Sequence, residues 1–299
     1  MLNRNDRGGF TLIELMITMV IMLIVGAAVG KVLVNSLRVG RGQMVQADMQ
    51  SNVRTGGLVL PMELREIGFD SNLTTSVVTS DIEVMARKEI QVRAMRGTGM
   101  TCGVPTLVAM SIRKPTFGNR RPLLTDGFLL FVENDPNTGG DDQWIPLTVT
   151  AVVNTALCGA DSAITLTFAT PQVSPGVDLA LSQIFVGGPI RYYERMRFGL
   201  YVEADGKSYL GARSVSLGEA NYRAVAGPLH PVEGLILDYY NRAGVQLDPA
   251  TADPADVRVV DLSIWGQTGD AISLSGSSQR GTGNMTVKTS IALRNTLSH

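Results

Sequence analysis

Between Phe10 and Gly30 the chain carries only three polar residues, Thr11, Glu14 and Thr18. About twenty residues at 1.5 Å rise cross the roughly 30 Å hydrocarbon core of a bilayer, so this run is expected to be a membrane-spanning helix. A secretory signal peptide is the competing reading, because Arg4 and Arg7 precede the apolar run. The run is too long for that, and no small-x-small cleavage site follows it; the small residues, Gly8 and Gly9, come before it. Orientation is not settled by charge: Arg4 and Arg7, offset by Asp6, flank one side, and Lys31, Arg38 and Arg41 the other.

The residues at that boundary read Gly9-Phe10-Thr11-Leu12-Ile13-Glu14. This hexapeptide, with basic residues before it and a spanning run after it, resembles the cleavage and methylation signature of type IV prepilins and type II secretion pseudopilins. The resemblance implies that a prepilin peptidase cuts between Gly9 and Phe10 at the cytoplasmic face and that Phe10 is then N-methylated. It makes residues 1–9 a leader. It also places the bulk of the chain outside the cytoplasm, which charge alone does not.

Glu14 needs a physical account, since a carboxylate at the centre of a bilayer costs about 2.5 to 3.5 kcal/mol on insertion scales. It lies about one turn from Phe10. One reading lets it reach the headgroup level; the other, implied by the pilin resemblance, pairs it with the amine of Phe10 on a neighbouring subunit during assembly. Gly26 and Gly30 form a G-x-x-x-G spacing that lets two membrane helices approach closely, although the motif is short and common.

No proline occurs before Pro61, so the helix is expected to continue beyond the membrane. Val45, Met49, Val53, Leu60, Leu64 and Ile67 recur at helical spacing with Arg54, Glu63, Arg65 and Glu66 between them. This predicts an amphipathic spine over which a sheet packs, bending at Gly40 or Gly42, kinked at Pro61 and stopped near Gly68. After Phe69 the pattern alternates. Strands are expected at 82–85, 90–95, 107–112, 128–132, 144–153, 164–168, 184–186, 190–202, 209–213, 234–240, 257–265 and 285–293, separated by turn clusters such as Ala204-Asp205-Gly206 and Asp253-Pro254. In the strand from Ile190, Glu194 interrupts the apolar side and leaves the register open. The Gly/Ser-rich tract 273–284 reads as a loop.

The two cysteines, Cys102 and Cys158, lie beyond the membrane run. An even count in a domain expected outside the cytoplasm predicts a disulfide, with two buried thiols as the alternative. The two histidines, His230 beside Pro231 and His299, form no catalytic or zinc constellation, and His230 reads as a turn residue. No phosphate-binding loop, dinucleotide fingerprint, nucleophile elbow or zinc-protease motif occurs, so no enzyme, metal or cofactor is expected. Asp135, Asn137, Asp141 and Asp142 have the chemistry of calcium ligands but are also ordinary turn formers. Arg113, Lys114, Arg120 and Arg121 surround Phe117, a basic run whose default reading is a solvated face. A net charge of −1 argues against a dominant nucleic-acid surface.

The expected fold is α+β: a long N-terminal helix over 10–68, of which 10–30 is transmembrane, packed on a β-rich antiparallel head over 69–299. Met62-Glu63-Leu64-Arg65-Glu66-Ile67-Gly68-Phe69, the stretch 232–240, the stretch 257–264 and the ending 291–295 resemble PilW-type minor pilins and J-type pseudopilins. The resemblance implies a PilW-like minor pilin that primes or caps a type IV pilus. It would be held in the inner membrane with its head in the periplasm and, once assembled, lie in the pilus. Its implied partners are prepilin peptidase, other pilins and inner-membrane lipid. A J-type pseudopilin is the alternative within the family. A single-pass anchored adhesin or receptor that never enters a filament is the alternative outside it.

Overall fold

Helix α1 runs without interruption from Leu12 to Arg65, 54 residues, and passes through Gly40, Gly42 and Pro61. The computed structural model describes residues 11–67, 80–103, 105–106, 108–118, 120–133, 137, 143–169, 185–269, 271–273 and 280–293. Phe10 and Gly68, the expected ends of the helix, lie outside them. The observed end is at Arg65, where Ile67 N–H closes a tight turn on the Leu64 carbonyl at 3.3 Å. Two compact units are distinguished, Met1–Asp48 with Asp270–Gly283, and Met49–Gly269 with Asn284–His299. In the first, every residue from 11 to 29 is exposed. A helix apolar on all sides and exposed along this length suits lipid rather than water. Of the tract read as a loop, Ser273 pairs with Arg280, next to the Ile272–Gly281 pair, and 274–279 lie outside the described residues.

The second unit holds the head. Its strands are β1 (Ile82–Met85), β2 (Glu89–Cys102), β3 (Ala109–Arg113), β4 (Phe117–Gly118), β5 (Gly127–Val132), β6 (Gln143–Leu147), β7 (Val149–Cys158) and β8 (Asp161–Phe168). Then come β9 (Pro189–Val202), β10 (Ser208–Ser214), β11 (Arg223–Leu229), β12 (Leu235–Tyr240), β13 (Gln246–Leu247), β14 (Val259–Gln267) and β17 (Asn284–Ala292), with β15 (Ile272–Ser273) and β16 (Arg280–Gly281) in the other unit. The pairings are antiparallel, in the order β13-β12-β14-β11-β10-β9-β2-β3-β8-β7, with β17 beside β14 and β1 beside β2. The fold class is therefore the expected one, a long apolar N-terminal helix with an antiparallel head.

Two cores fill the head. In the first, Met49, Val53, Leu60, Leu64 and Ile67 of the helix segment meet Ile90 and Val92 of β2, Phe198 of β9, Leu210 of β10, Leu237 of β12 and Ile264 of β14. Val45, included in the sequence stripe, is 38% exposed, so the buried stripe begins at Met49. The helix sits close to the sheet because the contact points are small. A Cβ on Gly56 would stand 2.8 Å from the Ala226 Cβ, and one on Gly266 would stand 2.1 Å from Val53 Cγ2. Asn52 also donates its side-chain amide to the Gly227 carbonyl of β11 at 2.9 Å.

The second core belongs to an insertion between β2 and β9. Met110 and Ile112 of β3, Phe128 and Leu130 of β5, Ile145 of β6 and Ile164 and Leu166 of β8 close on Ile190 and Tyr192 at the start of β9, with no helix residue among them. The run expected as one strand over 144–153 is two, because β6 pairs with β5 while β7 pairs with β8, and the chain changes partner at Thr148. The strand expected at 184–186 is absent at its described residues. Val186 and Gly187 form a turn in which Gly188 N–H returns to the Phe185 carbonyl at 3.2 Å. Strand β11 was not expected from Arg-Ala-Val-Ala-Gly-Pro-Leu; its pairing with β10 overrides weak local propensity.

Candidate functional site

The N-terminal turn is built by Thr11, the residue before the helix. Its carbonyl and hydroxyl oxygens accept from Glu14 N–H at 3.1 and 3.4 Å, which caps an otherwise open helix start. Glu14 thus occupies the first helical turn, where a carboxylate is favoured by the helix dipole. Its side chain is exposed and makes no ion pair among the described residues. Thr18, the remaining polar residue of the run, is satisfied inside the helix, donating its hydroxyl to the Leu15 carbonyl at 2.9 Å. Gly9 and Phe10, the expected cleavage and methylation residues, lie outside the described residues. A Cβ on Gly26 or Gly30 would meet nothing within 4 Å, so the close approach that their spacing permits is not used within the chain.

Cys102 at the end of β2 and Cys158 at the end of β7 form a disulfide, with Cα atoms 6.0 Å apart and a sequence separation of 56. The bond ties the end of β7 to the end of β2. His230 lies flat against Trp265, centroids 4.0 Å apart, and its Nδ1 accepts from Val232 and Glu233 N–H at 3.3 and 3.0 Å. It organises a turn. His299, Asp135, Asp141 and Asp142 lie outside the described residues, and Asn137 sits in a turn.

Two of the four cations of the basic run are ion-paired. Arg113 Nε meets Asp161 at 3.4 Å, and Arg120 forks onto the Asp126 carboxylate with both contacts at 2.6 Å. Beneath it is a buried network that sequence reasoning missed. Glu194 on the core-facing side of β9 accepts from Arg96 at 2.8 Å, from Arg120 at 3.3 Å and from the Ser214 hydroxyl, while Arg96 also reaches Glu63 of the helix at 3.0 Å. Burial alone would push the Glu194 carboxyl up. The hydrogen bonds from Arg96, Ser214 and Arg120 and the charge of Arg96 outweigh it and hold the group below its ordinary value. Burial likewise opposes the Arg96 charge, and Glu194 and Glu63 overcome it, raising that guanidinium. The register of β9 therefore keeps Glu194 inward. The signal in the sequence was the acid itself, which on an apolar face demands cations.

No curated protein and no solved structure matches the chain. Residues 4–30 match the family described as the prokaryotic N-terminal methylation motif. The N-terminus thus carries a type IV pilin-like signal, structural rather than catalytic, on a helix long and apolar enough to cross a membrane, as in a membrane-anchored protein.

Proposed function

We propose that the chain is a minor type IV pilin of PilW-like kind, made with a leader over 1–9, a helix over 10–68 and a head over 69–299. Its function is to prime or cap the fibre through the N-terminal helix. The observation that carries this reading is the methylation motif at 4–30, set on a helix whose first turn holds a carboxylate with no ion pair among the described residues. An unpaired carboxylate at the edge of lipid is matched by a cation from outside the chain, and the methylated amine of Phe10 on an adjacent subunit is such a cation. The head would lie in the periplasm before assembly and on the pilus after it.

The test is intact-mass and N-terminal peptide analysis of the protein from cells with and without prepilin peptidase. With the peptidase, the mature chain should begin at N-methyl-Phe10. Without it, Met1 should remain. A mature protein that keeps Met1 in both strains, or one cut beyond Gly30, would defeat the proposal. Recovery of the subunit from sheared pili, rather than only from a secretion apparatus, separates the minor pilin from a J-type pseudopilin.

A further inference from the structure

The insertion bears a surface cleft of about 490 Å³ lined by Lys114, Thr116, Arg120, Arg121, Ser162 and Ile164, with no carboxylate among the described lining residues. Its walls are held in place from below. The buried Tyr192 hydroxyl donates to the Arg120 carbonyl at 2.6 Å and lies 3.2 Å from Thr116 Oγ1. Strand β4 pairs with β2 at Gly97 and Thr98, Lys114 N–H donates to the Ser162 carbonyl at 2.9 Å, and Asp126 fixes the Arg120 fork. A cleft braced on so many sides has little freedom left to lose when a ligand enters.

Its charge is specific. Arg120 is neutralised by Asp126 and Glu194, whereas among the described residues the Lys114 ammonium donates to a neutral acceptor, the Asn154 carbonyl, and neither Lys114 nor Arg121 makes an ion pair. Two uncompensated cations and two hydroxyls, from Thr116 and Ser162, surround a space of small-molecule size. A phosphate monoester carries about −1.5 to −2 charges at neutral pH and three acceptor oxygens. We propose that this cleft binds one phosphate monoester group on a small polar carrier, such as a phosphorylated sugar. A nucleic acid, with one charge per phosphodiester, would need cations repeated along a groove, and here Lys114 and Arg121 line one cavity. The inference is independent of whether the chain enters a fibre.

The test uses the full chain in nanodiscs of phosphatidylcholine, titrated calorimetrically with inorganic phosphate, with glucose 6-phosphate and with glucose. Saturable single-site binding of phosphate and of the sugar phosphate, none of glucose, and a loss of tenfold or more in Lys114→Gln and in Arg121→Gln are expected. Arg223→Gln, which removes a charge paired to Glu219 elsewhere on the head, should bind as the wild type does. Absence of saturation, or equal affinity in Lys114→Gln and Arg121→Gln, overturns the proposal. So does binding confined to a single-stranded oligonucleotide or to phosphatidic-acid nanodiscs that free phosphate does not displace.

Discussion

Glu14 and Glu194 are both carboxylates on apolar faces, and the chain treats them oppositely. Glu194 finds Arg96, Arg120 and Ser214 within the head. Replacing it with Gln leaves two part-buried guanidinium groups undercompensated, so Glu194→Gln should destabilise the head by about 2 to 4 kcal/mol in denaturant titration at pH 7. The pH dependence has a definite sign. Because the folded carboxyl lies below its unfolded value of about 4.3, its stabilisation is complete above that value and is lost as pH falls through the folded pKa. Stability measured downward from pH 5 should fall more steeply in the wild type than in Glu194→Gln. Glu14 has no such partner in the described chain, so its variants should spare the fold. Glu14→Ala and Glu14→Gln should reach the membrane and be processed normally, yet both should be depleted from sheared fibres. Entry of both variants at wild-type levels would leave Glu14 as a headgroup-level residue with no part in assembly.

At the scale of elements, the helix and sheet meet through glycines, and the space around each decides what a methyl group would do. Gly56→Val should force the helix away from Ala226, and Gly266→Ala should collide with Val53, each lowering head stability by about 1 to 3 kcal/mol. Gly40→Ala is the control: its Cβ meets nothing within 4 Å, and Ala is favoured over Gly in a helix by about 1 kcal/mol, so thermal unfolding should be unchanged or slightly raised. Equal losses in all three would remove the close-packing argument. Pro61 shows the same dependence on surroundings. Its ring forfeits one helical hydrogen bond, yet the helix continues to Arg65 because Leu60 and Leu64 on either side are wholly buried in the first core.

At the scale of the molecule, the head is one sheet serving two cores, with the disulfide linking the end of β2, where the insertion begins, to the end of β7 within it. In the loop-entropy account, closing 56 residues removes about 4 kcal/mol of freedom from the unfolded chain. The Cys102→Ser and Cys158→Ser double variant should therefore unfold at lower denaturant, and non-reducing peptide mapping of the wild type should yield a single Cys102–Cys158 linked peptide. Two alkylated thiols recovered from rapidly quenched cells would argue that the bond is absent in vivo.

The membrane run, the amphipathic segment from Met49 to Ile67 and the methylation motif were all legible in the sequence. Each rests on periodicity or contiguity, which are properties of neighbours along a chain. What tertiary structure decided was long-range. Glu194 could be assigned inward only once Arg96 and Arg120, 98 and 74 residues away, were seen to neutralise it. The break at Thr148 appeared only when β6 and β7 took different partners, and β11 exists because β10 offers it a ladder. The glycines that seat the helix, Gly56 and Gly266, gave no signal in the sequence, because their role is set by Ala226 and Val53, which fill the space opposite them. A local pattern selects the type of an element and its buried face, while pairing, charge compensation and close approach depend on residues that only folding brings together.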